Sequence, residues 1–244
     1  MPSKLISCRV MIDEIKLFLP EGVATEVFEI SLHNRPEVLR TKLQEAIDTS
    51  DGIYDPIYLG YGLCGRAVVG LMAKKSRLVM PKNDDCIAIF LGSREERLNQ
   101  LASAPGTYFL TQGYIGDKGG SVFSDYDRVV KKYGREKAEK LMAKMLVNYN
   151  RLAYIRLPNV STLEADREYS RAMAAQFNMK YEEIAGTTSL LKRMFEGDWG
   201  DDFVVVEPGQ PIETKHFLNF AGDERTPGES GGSRSHKTVS HPRP

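Results

Sequence analysis

The chain has 244 residues, with 33 Lys and Arg against 33 Asp and Glu, and 41% of its residues are hydrophobic. This length allows one large α/β domain or two smaller lobes. The balanced charge argues against nucleic acid or an anionic membrane as a partner. The longest apolar stretches are too short to span a bilayer, and charged residues come too early for a secretory signal. We therefore expect a cytoplasmic protein.

Short β-rich runs alternate with amphipathic segments along the chain, which predicts an α/β fold with a mostly parallel, doubly wound sheet. Eight runs are predicted strands: Lys4–Met11, Glu26–Leu32, Pro56–Gly60, Arg77–Met80, Thr107–Thr111, Leu152–Leu157, Tyr181–Ile184 and Phe203–Val206, the last at a sheet edge. Helices are predicted over Pro36–Thr49, 125–150 (two helices broken near Gly134), Thr162–Phe177 and Ser189–Phe195. Within 125–150 an apolar stripe predicts burial: Ala138, Leu141, Met142, Met145, Leu146 and Tyr149.

The helical stretch halfway along the chain suggests a division into two Rossmann-like lobes, residues 1–124 and 125–217, with one continuous sheet as the alternative. The N-terminal lobe then carries all three cysteines. Residues 218–244 are rich in Gly, Ser and Pro and nearly free of aliphatic side chains. Such a composition cannot bury enough apolar surface to fold, so we expect a disordered tail.

All three cysteines fall where a predicted strand ends. Cys8 ends the first apolar run, Cys64 lies in the turn after the third strand, and Cys86 opens the helix after the fourth. In the strand order 2-1-3-4 these ends are neighbours, roughly 4.8 Å apart. Three thiolates leave zinc one ligand short, as in catalytic sites, and can also hold a [4Fe–4S] cluster with one open iron. The alternative is that each cysteine is a small buried hydrophobic residue.

Polar residues near these cysteines are candidates for chemistry. Asp84 and Asp85 directly precede Cys86. They either cap the following helix or act as proton carriers or metal ligands. Glu14 and His33 are further candidates for a fourth zinc ligand, although a lone histidine is more often structural.

The segment GYGLCG matches the pattern G-x-G-x-x-G through Gly60, Gly62 and Gly65. After a strand and before a helix, this pattern predicts a pyrophosphate site, and Asp84 and Asp85 follow about 20 residues later, where a ribose ligand is expected. The match follows the third strand instead of the first, and a cysteine occupies a phosphate-facing position. Tight packing that needs small residues is the alternative.

Two further strand ends carry polar side chains that are suited to orienting a small-molecule substrate. Thr111, Gln112 and Tyr114 follow the fifth strand, and Thr187 precedes the last helix. Capping of loops and helices explains the same residues without a ligand.

Several blocks in order resemble a prokaryotic domain-of-unknown-function family, DUF1638: SCRVMIDEI, YLGYGLCGRAVVGL, PKNDDCIAIFLGSREE and GDWGDDFVVVEPGQPI. The resemblance spans roughly residues 4–213. Members of this family are often encoded near corrinoid-dependent methyltransferases, so the resemblance implies a setting in one-carbon metabolism and supplies no reaction.

The function predicted from these observations is a zinc- or iron–sulfur-dependent enzyme of methyl or one-carbon transfer, built on Cys8, Cys64 and Cys86. Two alternatives stay open. One is a nucleotide-binding enzyme that uses the GYGLCG loop. The other is a non-catalytic accessory or activator protein for a corrinoid methyltransferase system, with a corrinoid protein or methyltransferase as its partner.

Overall fold

A computed structural model describes residues 1–115, 121–158 and 164–217 of the chain. The strands in these ranges are β1 Lys4–Cys8, β2 Ala24–Phe28, β3 Ile57–Gly60, β4 Leu78–Pro81, β5 Thr107–Leu110, β6 Arg151–Arg156, β7 Lys180–Ala185 and β8 Phe203–Val206. The helices are α1 Arg9–Ile15, α2 Pro36–Ser50, α3 Cys86–Leu91, α4 Arg94–Ser103, α5 Val122–Tyr133, α6 Arg135–Met145, α7 Glu164–Gln176 and α8 Ser189–Glu196. The predicted α/β class is confirmed.

The first sheet has five strands in the order β2-β1-β3-β4-β8. Its first four strands are parallel, which confirms the predicted order 2-1-3-4, and β8 pairs antiparallel with β4 as the predicted edge strand. Every residue of β3 and β4 is buried, as expected for parallel strands covered on both faces. Consequently the carboxyl ends of β1, β3 and β4 lie side by side.

The second sheet has three parallel strands in the order β5-β6-β7. The sheets do not follow the predicted boundary at residue 124, because β5 precedes it and pairs with β6, whereas β8 returns to the first sheet. The lobe boundaries themselves stay a prediction. The main core contains side chains from both sheets, such as Leu59 from the first and Phe109 and Ile155 from the second.

Most differences from the predicted elements lie at their ends. β1 is shorter than predicted because α1 begins at Arg9, directly after Cys8. β2 ends at Phe28, and a 3₁₀ turn over Ile30–Asn34 replaces the rest of the predicted strand. The break near Gly134 is confirmed, with a φ of 85° that glycine tolerates.

The apolar stripe of α6 is buried only in part, which corrects the prediction of a fully buried face. Ala138, Met142 and Leu146 pack in the core of the second sheet. Leu141, Met145 and Tyr149 stay 43%, 46% and 38% exposed. The stripe is wider than the face that α6 presents to α5 and the sheet, so its outer residues remain at the surface.

Within the described ranges no helix is both long enough and apolar enough to cross a membrane. The tail 218–244 and the predicted helix start at Thr162 lie outside the described residues.

Candidate functional site

The three cysteines line one cavity of about 750 Å³ at the carboxyl end of the first sheet. Cys8 is the last residue of β1, Cys64 lies in a 3₁₀ turn after β3, and Cys86 is the first residue of α3 after β4. All three are free thiols. The structure therefore brings together the side chains that the strand ends predicted to converge.

Cys8 is held by the sheet itself. Cys8 lies opposite Phe28 in the register of β1 and β2, and one residue beyond the Ser7–Gly60 pair that ends the register with β3. Burial raises the pKa of the Cys8 thiol to about 11, although the amide N–H groups of Val10 and Met11 at the start of α1 favour the thiolate. The thiol is therefore neutral at neutral pH.

Cys64 lies in a left-handed stretch of backbone. Its φ is 45°, and that of Arg66 is 68°, values that are uncommon for residues with a side chain. The stretch is fixed from two sides, because the Cys64 N–H donates to the Asp84 carbonyl at 3.1 Å and Arg40 donates to the Arg66 carbonyl at 3.0 Å. Burial, followed by the nearby Cys8, raises the pKa of the Cys64 thiol to about 12. Strained backbone of this kind persists where the surroundings enforce it, often at functional sites.

Cys86 is linked to Tyr114 by a hydrogen bond of 2.9 Å between Sγ and the phenol oxygen. Tyr114 reaches this position because its 3₁₀ turn lies directly against α1. At Gly113 a Cβ would overlap the Val10 carbonyl, so only glycine allows this approach. The pKa of the Cys86 thiol is raised well above its ordinary value, first by burial and then by Cys64 and Asp85, against the lowering effect of the Tyr114 hydroxyl.

The chemistry of the cavity side chains favours a metal, whereas their present arrangement does not. Thiols are the soft ligands that suit zinc and iron–sulfur clusters. In the described part of the chain, however, no group of three His, Cys, Asp or Glu side chains is arranged to hold a metal ion. The thiols influence one another's pKa, so they lie within electrostatic reach. Neutral thiols are poor ligands until a cation displaces their protons.

Both predicted acid–base residues are ion-paired with arginine. Asp85 caps α3 by accepting the Ala88 N–H at 2.9 Å, and its second oxygen is 3.1 Å from Arg97. Asp85 lines the cavity, and its predicted capping role is confirmed. Asp84 accepts a hydrogen bond from Arg94 at 2.8 Å and is not part of the cavity wall.

The glycines of GYGLCG serve close packing. A Cβ on Gly60 would lie 2.5 Å from the Ser7 hydroxyl, and one on Gly62 would lie 2.9 Å from backbone atoms of Asn83 and Asp85. Only a 3₁₀ turn, Cys64–Arg66, follows this loop before β4. No α-helix N-terminus is therefore present there to bind a pyrophosphate, and the packing alternative explains Gly60 and Gly62. Gly65, with a φ of 65°, lines the cavity.

Of the four predicted substrate-orienting side chains, Tyr114 alone lines the cavity. Thr111 is fully buried before the 3₁₀ turn that Gln112 opens. Thr187 lies at the start of α8, where its hydroxyl accepts the Ser189 N–H at 3.1 Å. The capping alternative therefore accounts for Thr187.

Two aromatic residues of the cavity wall contact each other: Tyr61, which received no role from the sequence, and His33, which was a candidate zinc ligand. Tyr61 lies inside the glycine-rich segment GYGLCG, and His33 follows the end of β2. Their rings stack with centroids 6.0 Å apart and an angle of 23° between the planes. A signal was present in the sequence, since both residues come within five positions of a strand end on the cysteine side of the sheet.

His33 has one defined tautomer. Its Nδ1 lies 3.1 Å from the Ile30 carbonyl, which only accepts hydrogen bonds, so Nδ1 carries the proton and Nε2 keeps a lone pair. Burial lowers the pKa of His33, against the raising effect of the Ile30 carbonyl. The side chain is therefore a neutral base in the wall of the cavity.

The charges in the cavity wall are balanced. Each of its three carboxylates is within 3.4 Å of an arginine nitrogen: Glu29 with Arg9 at 3.4 Å, Asp85 with Arg97 at 3.1 Å, and Asp125 with Arg128 at 2.7 Å. The cavity thus presents thiol, phenol and imidazole groups between neutralised ion pairs.

A family model described as "Protein of unknown function (DUF1638)" matches residues 27–195, more than half of the chain. The chain belongs to the DUF1638 family. Cys64 and Cys86 lie inside the matched range, and Cys8 precedes it. The comparisons with curated proteins and with solved structures give no match.

Proposed function

We propose that this DUF1638 protein is a cytoplasmic, metal-dependent enzyme in which Cys8, Cys64 and Cys86 hold zinc or a [4Fe–4S] cluster. One observation carries the proposal: three free thiols from three adjacent strand ends line a single cavity. We assign methyl or one-carbon transfer to it because the family resemblance implies a setting in one-carbon metabolism.

A bound cation would supply the positive charge that the buried thiolates need. Burial raises the pKa of all three thiols, and neighbouring cysteines add to the shift at Cys64 and Cys86, so deprotonation becomes favourable when a positive centre compensates the thiolates. Because no three ligands are arranged for a metal in the described residues, binding requires the side chains to reorient. Cysteine has one side-chain torsion with three staggered positions, which makes such a change small.

When bound, the metal would act as a Lewis acid that lowers the pKa of a substrate thiol or water at its open position. The surrounding side chains have separate roles. Tyr114 donates to the Cys86 sulfur once it is a thiolate and thereby orients it. His33 Nε2 accepts the proton that the substrate loses, because its lone pair is fixed by the Nδ1–Ile30 hydrogen bond.

The proposal is tested by metal analysis and the visible spectrum of the full chain purified without oxygen. We expect close to one zinc ion, or one brown iron–sulfur cluster, per chain, and loss of this metal when all three cysteines are replaced by serine. A colourless, metal-free wild type that the triple substitution leaves unchanged would refute it.

A second candidate, an accessory protein of a corrinoid methyltransferase system, is favoured by apolar side chains beside the cavity. Met145 lines the cavity and is 46% exposed, and Leu141 on the same helix is 43% exposed. Exposed apolar groups of this kind mark protein contacts when they are contiguous. Co-elution of the chain with a purified corrinoid protein supports this candidate, and separate elution at micromolar concentrations contradicts it.

A further inference from the structure

Tyr61 is a buried tyrosine whose hydroxyl has no partner among the described residues. Its side chain is 1% exposed, and its phenol oxygen makes no hydrogen bond there. A buried hydroxyl without a hydrogen bond is costly, and such groups are rare in folded proteins. The isolation of this hydroxyl therefore calls for an explanation.

The surroundings of Tyr61 point to a ligand. The residue lines the same cavity as the three cysteines, and its ring is held in place by stacking on His33. The other tyrosine in the wall, Tyr114, satisfies its hydroxyl with the Cys86 sulfur at 2.9 Å. The cavity wall thus contains one tyrosine whose hydroxyl is paired with sulfur and one whose hydroxyl has no partner among the described residues.

We propose that Tyr61 is a ligand-binding residue: its hydroxyl donates a hydrogen bond to an oxygen or sulfur acceptor of a small molecule bound beside Cys8 and Cys64. The inference takes the location of the ligand from the proposed function and does not depend on a metal. The ligand class is a small carboxylate or thiol, whose acceptor atom reaches the hydroxyl that the protein leaves unpaired.

The chain offers a matched control. The Tyr126 hydroxyl is also buried and without a partner in the described residues, but Tyr126 lies in the core of the second sheet and outside the cavity wall. The substitutions Tyr61→Phe and Tyr126→Phe therefore remove the same group from two places, only one of which can contact the ligand.

The experiment compares the wild type and both variants as full chains, with acetate and 2-mercaptoethanol as the probes. Without a probe, both variants should have a denaturation midpoint equal to or above that of the wild type, because neither loses a hydrogen bond. At least one probe should raise the melting temperature of the wild type and bind Tyr61→Phe about fivefold to tenfold more weakly. Tyr126→Phe should bind it as the wild type does.

Three results would overturn the inference: no stabilisation of the wild type by either probe, equal binding by Tyr61→Phe and the wild type, or a lowered midpoint of probe-free Tyr61→Phe. The last would show that the hydroxyl has a partner within the protein. Metal content is measured on the same samples and should be equal in Tyr61→Phe and the wild type. A metal-free wild type would refute the metal proposal alone, whatever the probes show.

Discussion

Two groups of polar side chains, one around Glu183 in the second sheet and one in the cysteine cavity of the first, differ in their hydrogen bonding. In the second sheet, Glu183 on β7 accepts hydrogen bonds from Arg167 at 2.9 Å, Arg171 at 3.1 Å and Tyr181 at 3.1 Å. At the carboxyl end of the first sheet, the Tyr61 hydroxyl is buried without a partner in the described residues. The polar cluster around Glu183 is complete in itself, whereas the cysteine cavity has the composition of a site that receives something from outside.

The backbone shows the same contrast. In the described ranges three residues other than glycine have a positive φ: Cys64, Arg66 and Asn178. Asn178 precedes β7, and asparagine adopts this conformation readily. Cys64 and Arg66 do not, and both belong to the turn that places a thiol in the cavity. Departures from local preference concentrate at functional sites.

The largest effect is expected from Gly113→Ala, which breaks the contact that holds Tyr114 over the cavity. A Cβ at this position overlaps the Val10 carbonyl, so the turn or α1 must move, at a cost of about 3 kcal/mol. Chemical denaturation measures the loss. Gly197→Ala is the control, because a Cβ there meets no atom within 4 Å and only the left-handed backbone, with a φ of 81°, opposes it, at a cost of about 1 kcal/mol. Equal losses for the two variants would contradict the close approach.

The alkaline stability of the metal-free protein tests the buried thiols. An unfolded chain loses the Cys8 proton near the ordinary pKa of 9.0, whereas the folded chain keeps it up to about 11. The folded state then binds more protons, so this contribution is fully present below about pH 9 and is lost as the pH rises through 11. Denaturation midpoints between pH 8 and 11 should fall less steeply for Cys8→Ser than for the wild type. Parallel curves would contradict the raised pKa.

Tyr114→Phe should have a moderate effect, because it removes the partner of the Cys86 sulfur. We expect a loss of about 1 kcal/mol in the free energy of unfolding and slower alkylation of Cys86 by iodoacetamide, because the hydroxyl lowers the pKa of the Cys86 thiol and the thiolate is the reactive form. Tyr126→Phe is the matched variant, since its hydroxyl makes no hydrogen bond within the described residues, and it should not be destabilised. An unchanged or faster alkylation rate in Tyr114→Phe would contradict the stabilisation of the Cys86 thiolate by this hydrogen bond.

The smallest effect is expected in the second sheet, for Glu183→Gln. Although burial raises the pKa of Glu183, the hydrogen bonds from Arg167 and Tyr181 outweigh it and lower the pKa below the ordinary 4.5. The stabilisation is therefore present above about pH 4.5 and is lost as the pH falls through the lowered pKa. The difference in denaturation midpoint between wild type and variant should be small at pH 7 and vanish in acid. A change in the metal content of Glu183→Gln would contradict the view that the polar cluster around Glu183 and the cysteine cavity are independent of each other.

The sequence predicted the strands well because buried parallel strands have a strong composition signal. Each of the eight predicted runs overlaps an observed strand, including the antiparallel edge strand Phe203–Val206. The convergence of Cys8, Cys64 and Cys86 on one cavity followed from the strand order alone. Element ends were less predictable: the 3₁₀ turn Ile30–Asn34 replaces a predicted strand end because local turn geometry decides there.

The polar part of the site could not be predicted to the same degree. The position of a strand end predicts which residues lie near the cavity, but it does not predict which loop side chains point into it. Tyr114 and Thr187 both follow predicted strand ends, yet Tyr114 lines the cavity wall and Thr187 caps a helix. The role of Tyr61 could not be predicted, because it depends on a hydroxyl that lacks a hydrogen bond among the described residues, and a sequence does not show hydrogen bonds. The left-handed turn at Cys64 could not be predicted either, because cysteine normally avoids that backbone conformation.

The central claim is that three sulfur atoms of one chain bind one metal centre. X-ray absorption at the metal edge, on the full chain purified without oxygen, counts these ligands directly. For zinc the account predicts three sulfur atoms at about 2.3 Å and a fourth, lighter ligand, with the sulfur shell reduced by one in each single cysteine-to-serine variant. A first shell made only of oxygen and nitrogen would contradict it.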